Sequence, residues 1–180
     1  MALSATIYNF NVDLSDADRQ VYDTLSIRVA RHPSESEEFL VARVLAYLLE
    51  YADGIEFSRG VSDADEPAIV IRDLTGRLTT WIDVGTPDAA RLHKASKAAR
   101  RVVVYSHKDP AQFLRQLAGA KIHRGEGLEL YALDRSLVAA LVDRLERRVA
   151  FGVSIAEREL FVSIGQDTLT GAVTRLVLDA

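Results

Sequence analysis

The stretch that most constrains the fold is residues 69–105, "IVIRDLTGRLTTWIDVGTPDAARLHKASKAARRVVVY". Two β-type runs flank a tight turn at Thr75-Gly76, "TPD" opens a helix over about 87–99, and "RVVVYSH" (101–107) reads as a buried strand. A hairpin, a helix and a further apolar strand in succession call for a mixed sheet covered by helices, because each apolar face must be buried against another layer.

The flanking sequence extends this pattern. Strands are expected at 3–13 and 22–30, from the partial alternation in "ATIYNFNV" and "TLSIRVA". A helix follows in "RHPSESEEFLVARVLAYLLEYADG", with Ser34 to Glu37 as a capping box and Gly54 as its C-cap. Val41, Val44, Leu45 and Leu48 define its buried stripe. Further helices are expected at about 109–119 and 135–147, and strands at 128–134, 149–156, 159–164 and 168–178. The expectation is an α+β (mixed α/β) fold in one domain over 1–180, with extra N- and C-terminal strands around the central sheet.

Hydrophobic residues make up 48% of the chain, enough for a true core. The absence of cysteine excludes disulfides, thiolate metal sites and cysteine nucleophiles. No apolar run reaches membrane-span length and the N-terminus does not read as a signal peptide, so the expectation is a soluble, cytoplasmic protein. The net charge of −4 gives nucleic-acid binding no global support. Its distribution is more informative, because Arg91 to Arg124 holds nine Lys or Arg against one acid, Asp109. Such a face steers a polyanion, or it is simply the solvated side of helices.

With a two-residue turn, Arg72 faces Thr79, Val70 faces Trp81 and Ala68 faces Asp83, and Trp81 and Asp83 share one face. A carboxylate on an inward face needs a partner or a cation. Glu37 and Glu38 at the start of the first helix, and Glu66 before the hairpin, are candidate neighbours. Clustered carboxylates suit Mg²⁺, which would polarise a phosphoryl oxygen. Each acid also has an ordinary reading: Glu37 and Glu38 on the helix dipole and cap, Asp83 as a cap of the "GTPD" turn or of the next helix, Glu66 in a solvated loop. His32, His93, His107 and His123 share no metal-ligand spacing, and no phosphate loop, nucleophile elbow or H-E-x-x-H appears.

The order of acidic helix, hairpin with an acid on its second strand, helix and strand resembles the PD-(D/E)XK nuclease core. More closely, "HPSE", "GVSDADEPA", "DLTG", "WIDVG", "PDAARLHKA" and "VVVY" are similar to the YaeQ family, whose fold resembles PD-(D/E)XK phosphodiesterases. The resemblance implies a metal site of Glu37 or Glu38, Glu66 and Asp83, with Asp83 and Glu38 catalytic. Two positions depart from the pattern: Ala68 stands at the aspartate of PD, and Gly85 at the lysine. Lys94, on the next helix, could reach the space left at Gly85 and contact the scissile phosphate, or it is a snorkelling surface lysine. Arg91, Lys97, Arg100 and Arg101 would hold the nucleic-acid backbone. Two functions are therefore expected as rivals. One is a Mg²⁺-dependent phosphodiesterase or nuclease acting on nucleic acid. The other is an inactive nuclease-fold module that binds nucleic acid or a protein partner, for instance by strand addition at the C-terminal strands.

Overall fold

The computed structural model describes residues 4–58 and 65–179, so residue 3 of the first expected strand and residues 60–64 of the "GVSDADEPA" motif lie outside the described residues. Its elements run β1 (Thr6–Asp16), β2 (Val21–Arg31), α1 (Glu37–Leu49), β3 (Ile55–Phe57), β4 (Ile69–Arg72), β5 (Leu78–Val84), α2 (Ala89–Ala98), β6 (Arg101–Ser106), α3 (Pro110–Leu117), β7 (Glu129–Leu133), α4 (Arg135–Val142), β8 (Arg148–Ala156), β9 (Glu159–Ile164) and β10 (Asp167–Leu176). The fold is mixed α+β, with antiparallel and parallel strand pairs and four α-helices among the described residues. None of these helices is long and apolar enough to cross a membrane.

The chain divides into two compact units. The first holds the residues up to Val41 together with Leu133–Thr174. In it β2 pairs antiparallel with β1, β1 parallel with β8, β8 antiparallel with β9, and β9 antiparallel with β10. Alternation sets the buried face: Phe10, Val12 and Leu14 on β1, Leu25, Ile27 and Val29 on β2, Val153 and Ile155 on β8. Helix α4 is capped by Asp134, which accepts from the Leu137 amide at 2.9 Å. It packs on Gly171 of β10, where an added Cβ would lie 2.7 Å from that of Asp134 and 2.9 Å from that of Leu137.

The second unit holds Ala42–Ala132 and the chain end from Arg175. Its strand order is β7-β6-β5-β4-β3, with β5, β6 and β7 parallel and β3, β4 and β5 antiparallel. Trp81, Leu92, Ala95, Val102, Val104, Phe113, Leu117 and Leu130 form its core.

Four expectations need correction. The first helix begins at Glu37, and Ser36 caps it by accepting the Phe39 amide at 3.1 Å, so Ser34 is not the cap and Glu35 precedes the helix. The same helix ends at Leu49, well before Gly54. Gly54 sits instead at φ +86°, where an added Cβ would meet the Arg72 carbonyl oxygen at 2.1 Å. In the hairpin the Val70–Trp81 pairing holds, but a bulge after Ile71 sets Arg72 opposite Leu78. The Asp73 carboxylate causes this longer turn by accepting from the amides of Thr75 at 2.9 Å and Arg77 at 3.0 Å. Finally, α4 stops at Val142, because Arg144 and Leu145 donate to Leu141 and Val142 in tighter three-residue turns.

Candidate functional site

Asp83 lies near the end of β5 and is 2% exposed. Among the described residues its charge is answered by one side chain, Arg91 on the first turn of α2. Arg91 Nε donates to Asp83 Oδ2 at 2.7 Å, and Nη2 donates to Asp83 Oδ1 at 3.0 Å. Nη2 also donates to the Glu66 backbone oxygen at 2.7 Å, and the guanidinium carbon lies 5.5 Å from the centre of the Trp81 ring. The Ala68 amide donates to Asp83 Oδ1 at 3.3 Å. The inward acid is thus held by a two-pronged ion pair and a backbone donor. Asp83 does not cap the next helix; Asp88 does, accepting the Arg91 amide at 2.8 Å.

The other expected metal ligands are placed differently. Glu66 reaches this cluster through its carbonyl oxygen. Glu38 is exposed and Glu37 half-buried at the start of α1, while the buried acid of that segment is Glu35, whose Oε2 accepts the His32 amide at 3.2 Å. Among the described residues, no three His, Asp or Glu side chains come together as metal ligands. Lys94 pairs with Asp65, and both are well exposed. Gly85 adopts φ +93° and donates its amide to the Tyr105 oxygen at 3.0 Å, so this position meets a backbone demand that a lysine would meet only with strain.

Arg101, expected on the nucleic-acid face, is also engaged within the unit. It donates to Glu50 at 2.6 and 3.2 Å and to Glu129 at 2.5 and 3.0 Å. The Tyr105 hydroxyl donates to Glu50 at 2.6 Å, and the rings of Tyr105 and Tyr131 stack with centres 5.2 Å apart. Burial, followed by the Glu50 charge, pushes the Tyr105 hydroxyl well up. Burial alone would raise the Glu129 carboxyl, but the hydrogen bonds and charge of Arg101 outweigh it and hold Glu129 below the usual range.

Lys97 and Arg100 differ from these. Both are exposed, and neither forms an ion pair among the described residues. They line a cavity of about 440 Å³ together with Arg77, Arg124, Asp73, Leu78, Thr79, Ala98 and Ala99. Three elements build it: the hairpin turn supplies Asp73 and Arg77, the end of α2 supplies Lys97 to Arg100, and the loop before β7 supplies Arg124. Arg124 sits in the left-handed region at φ 49° and caps α2, its Nη2 donating to the oxygens of Ser96 and, at 3.3 Å, Ala99. Among the described residues, four cations therefore surround one cavity with a single carboxylate, which is committed to its own turn. Sequence reasoning reached Lys97, Arg100 and the segment ending at Arg124 but missed Arg77. The available signal was Asp73, four residues before it, which folds the turn and carries Arg77 to the cavity.

Comparison with known proteins places this architecture. The family model described as YaeQ protein matches residues 1–173. The uncharacterized YaeQ proteins of Salmonella typhi and Escherichia coli (strain K12) are each 32% identical over 171 residues, covering 94% of both chains. Two crystal structures of YaeQ proteins superpose with a TM-score of 0.86. That from Pseudomonas syringae is 30% identical and matches over 96% of both chains; that from Xanthomonas axonopodis pv. citri is 34% identical, over 96% of this chain and 98% of the other. The chain belongs to the YaeQ family.

Proposed function

We propose that this protein is a nuclease-like module that holds the phosphate backbone of nucleic acid on its second unit without cutting it. The observation that carries the proposal is the convergence of Arg77, Lys97, Arg100 and Arg124 on one cavity of an otherwise acidic chain. Lys97 and Arg100, which form no ion pair among the described residues, are available to displace counterions from phosphates, which is the main source of sequence-independent affinity. The loss of cutting follows from Asp83. In a PD-(D/E)XK reading this acid binds the metal, yet here its oxygens are taken by Arg91 and the Ala68 amide. A hard cation needs several charged oxygens, and Ala68 removes one more.

A Mg²⁺-dependent phosphodiesterase is the second reading. It is favoured by Arg91 Nη2, which touches both Asp83 Oδ1 and the Glu66 oxygen, so two oxygens already face one cation. It requires Arg91 to withdraw.

Fluorescence anisotropy with labelled single- and double-stranded oligonucleotides at low salt tests the first reading. Binding that collapses in Lys97→Glu and Arg100→Glu supports it, and no binding overturns it. The same mixtures, incubated with Mg²⁺ or Mn²⁺ and run on a denaturing gel, decide the second. Cleavage abolished by Asp83→Asn would establish an enzyme; intact substrate, with no heat of Mn²⁺ binding by calorimetry, would exclude one.

A further inference from the structure

The cavity at Arg77, Lys97, Arg100 and Arg124 has features that a groove tracking a strand does not need. We infer that it takes a terminal phosphomonoester, at the end of an oligonucleotide or on a free nucleotide, in preference to the diester phosphates of the backbone; for the oligonucleotide case this rests on the nucleic-acid reading above.

Charge density is the first argument. A phosphomonoester carries about −1.5 to −2 at neutral pH on one phosphorus, whereas the backbone spreads single charges along the strand. Cations from three separate elements converging on one cavity fit the concentrated charge. Guanidinium groups add matched pairs of donors for phosphate oxygens.

Size and lining are the second. About 440 Å³ lies within the roughly 300–1,000 Å³ of small-ligand sites. Among the described residues, the walls between the cations are Leu78, Thr79, Ala98 and Ala99, with no aromatic ring on which successive bases would stack. The Thr79 hydroxyl is committed to the Ile71 oxygen at 3.0 Å, and the Asp73 carboxylate to its own turn, which leaves the cations as the polar groups open to a ligand among the described residues.

The competing explanation is that these cations only answer the negative end of α2. That end carries about half a charge, and Arg124 already donates to two of its carbonyls. It does not account for Arg77, which arrives from the hairpin, or for the surplus left after Asp73 is counted.

The test uses one single-stranded oligonucleotide in three forms: hydroxyl at both ends, 5′-phosphate and 3′-phosphate, with an internal fluorophore. AMP serves as competitor and as a separate calorimetric ligand. One phosphorylated form should bind roughly tenfold more tightly than the hydroxyl form. In Arg77→Ala and Arg100→Ala, both affinities should fall and that ratio should shrink to near one. Full competition by AMP, or AMP binding without oligonucleotide binding, identifies the free nucleotide as the source and also supports the inference. Equal binding of all three forms with no AMP binding overturns it while leaving the backbone reading intact. No binding of any oligonucleotide and none of AMP overturns both.

Discussion

Removing the Arg91 side chain would leave the Asp83 carboxylate, 2% exposed, with only the Ala68 amide as a described partner. An uncompensated buried charge is the costliest outcome of breaking such a pair, and Arg91→Ala is expected to lose about 3 kcal/mol in urea denaturation. Asp83→Asn together with Arg91→Leu removes both charges and keeps apolar cover on Trp81, so it should recover part of that loss. If the double variant were as unstable as Arg91→Ala, the pair would owe its value to packing and not to charge. This pair also marks what was readable from sequence at this scale. The hairpin register placed Asp83 and Trp81 on one face, and the structure confirms it through the one guanidinium that touches both. The partner was hidden, because Arg91 and Lys94 lie less than one turn apart on α2 and no sequence rule tells which reaches inward. Burial decided it: Arg91 is 25% exposed and Lys94 52%.

At the scale of elements, the strands were legible because alternation is a strong signal, and several turns were not because their geometry is set from elsewhere in the chain. The β8–β9 connection turns on Glu157 and Arg158, both at positive φ (52° and 59°), where Asn-Gly would be the ordinary choice. Asp18 from the β1–β2 turn holds it, accepting the two amides at 2.7 and 2.9 Å. These backbone donors hold the Asp18 carboxyl below its usual range. Relieving the strain with Glu157→Asn and Arg158→Gly should raise the unfolding free energy by about 1 kcal/mol, while Asp18→Ala should lower it by a similar amount. Both are checked by thermal unfolding. Gly171 carries the opposite expectation. Its Cβ would collide with the Cβ atoms of Asp134 and Leu137, which move only with the helix backbone, so Gly171→Ala should cost about 1–3 kcal/mol by overpacking. Three-residue β3 and the early end of α4 were not legible, since the first is too short for a pattern and the second follows an apolar run that the chain abandons for tighter turns.

At the scale of the whole molecule, the count of basic residues over 91–124 was right but says little about function, because structure divides them into two classes. Arg91, Lys94 and Arg101 are engaged by acids within their own unit, while Lys97 and Arg100 are not. The engaged class should appear in the pH dependence of stability. Glu129 has a lowered folded carboxyl, so its contribution is complete above its unfolded value near about 4.3 and is lost as pH falls through the folded one. Acid denaturation of wild type should therefore be steeper below about pH 4.3 than that of Glu129→Gln, with the two curves running parallel at neutral pH. The unengaged class should appear in the salt dependence of binding. Single-stranded nucleic acid releases about 0.7 counterion per phosphate neutralised. Arg77, Lys97 and Arg100 then give a slope of log K against log salt of about −2, and Arg100→Ala should reduce it by about 0.7. Arg101→Ala should leave the slope where it is and instead cost about 3 kcal/mol of stability, since it leaves the buried Glu50 carboxylate without a described cation and with the Tyr105 hydroxyl as its described donor. If Arg101→Ala lowered the slope as much as Arg100→Ala does, the whole basic segment would be the binding face and the division drawn from the ion pairs would be wrong.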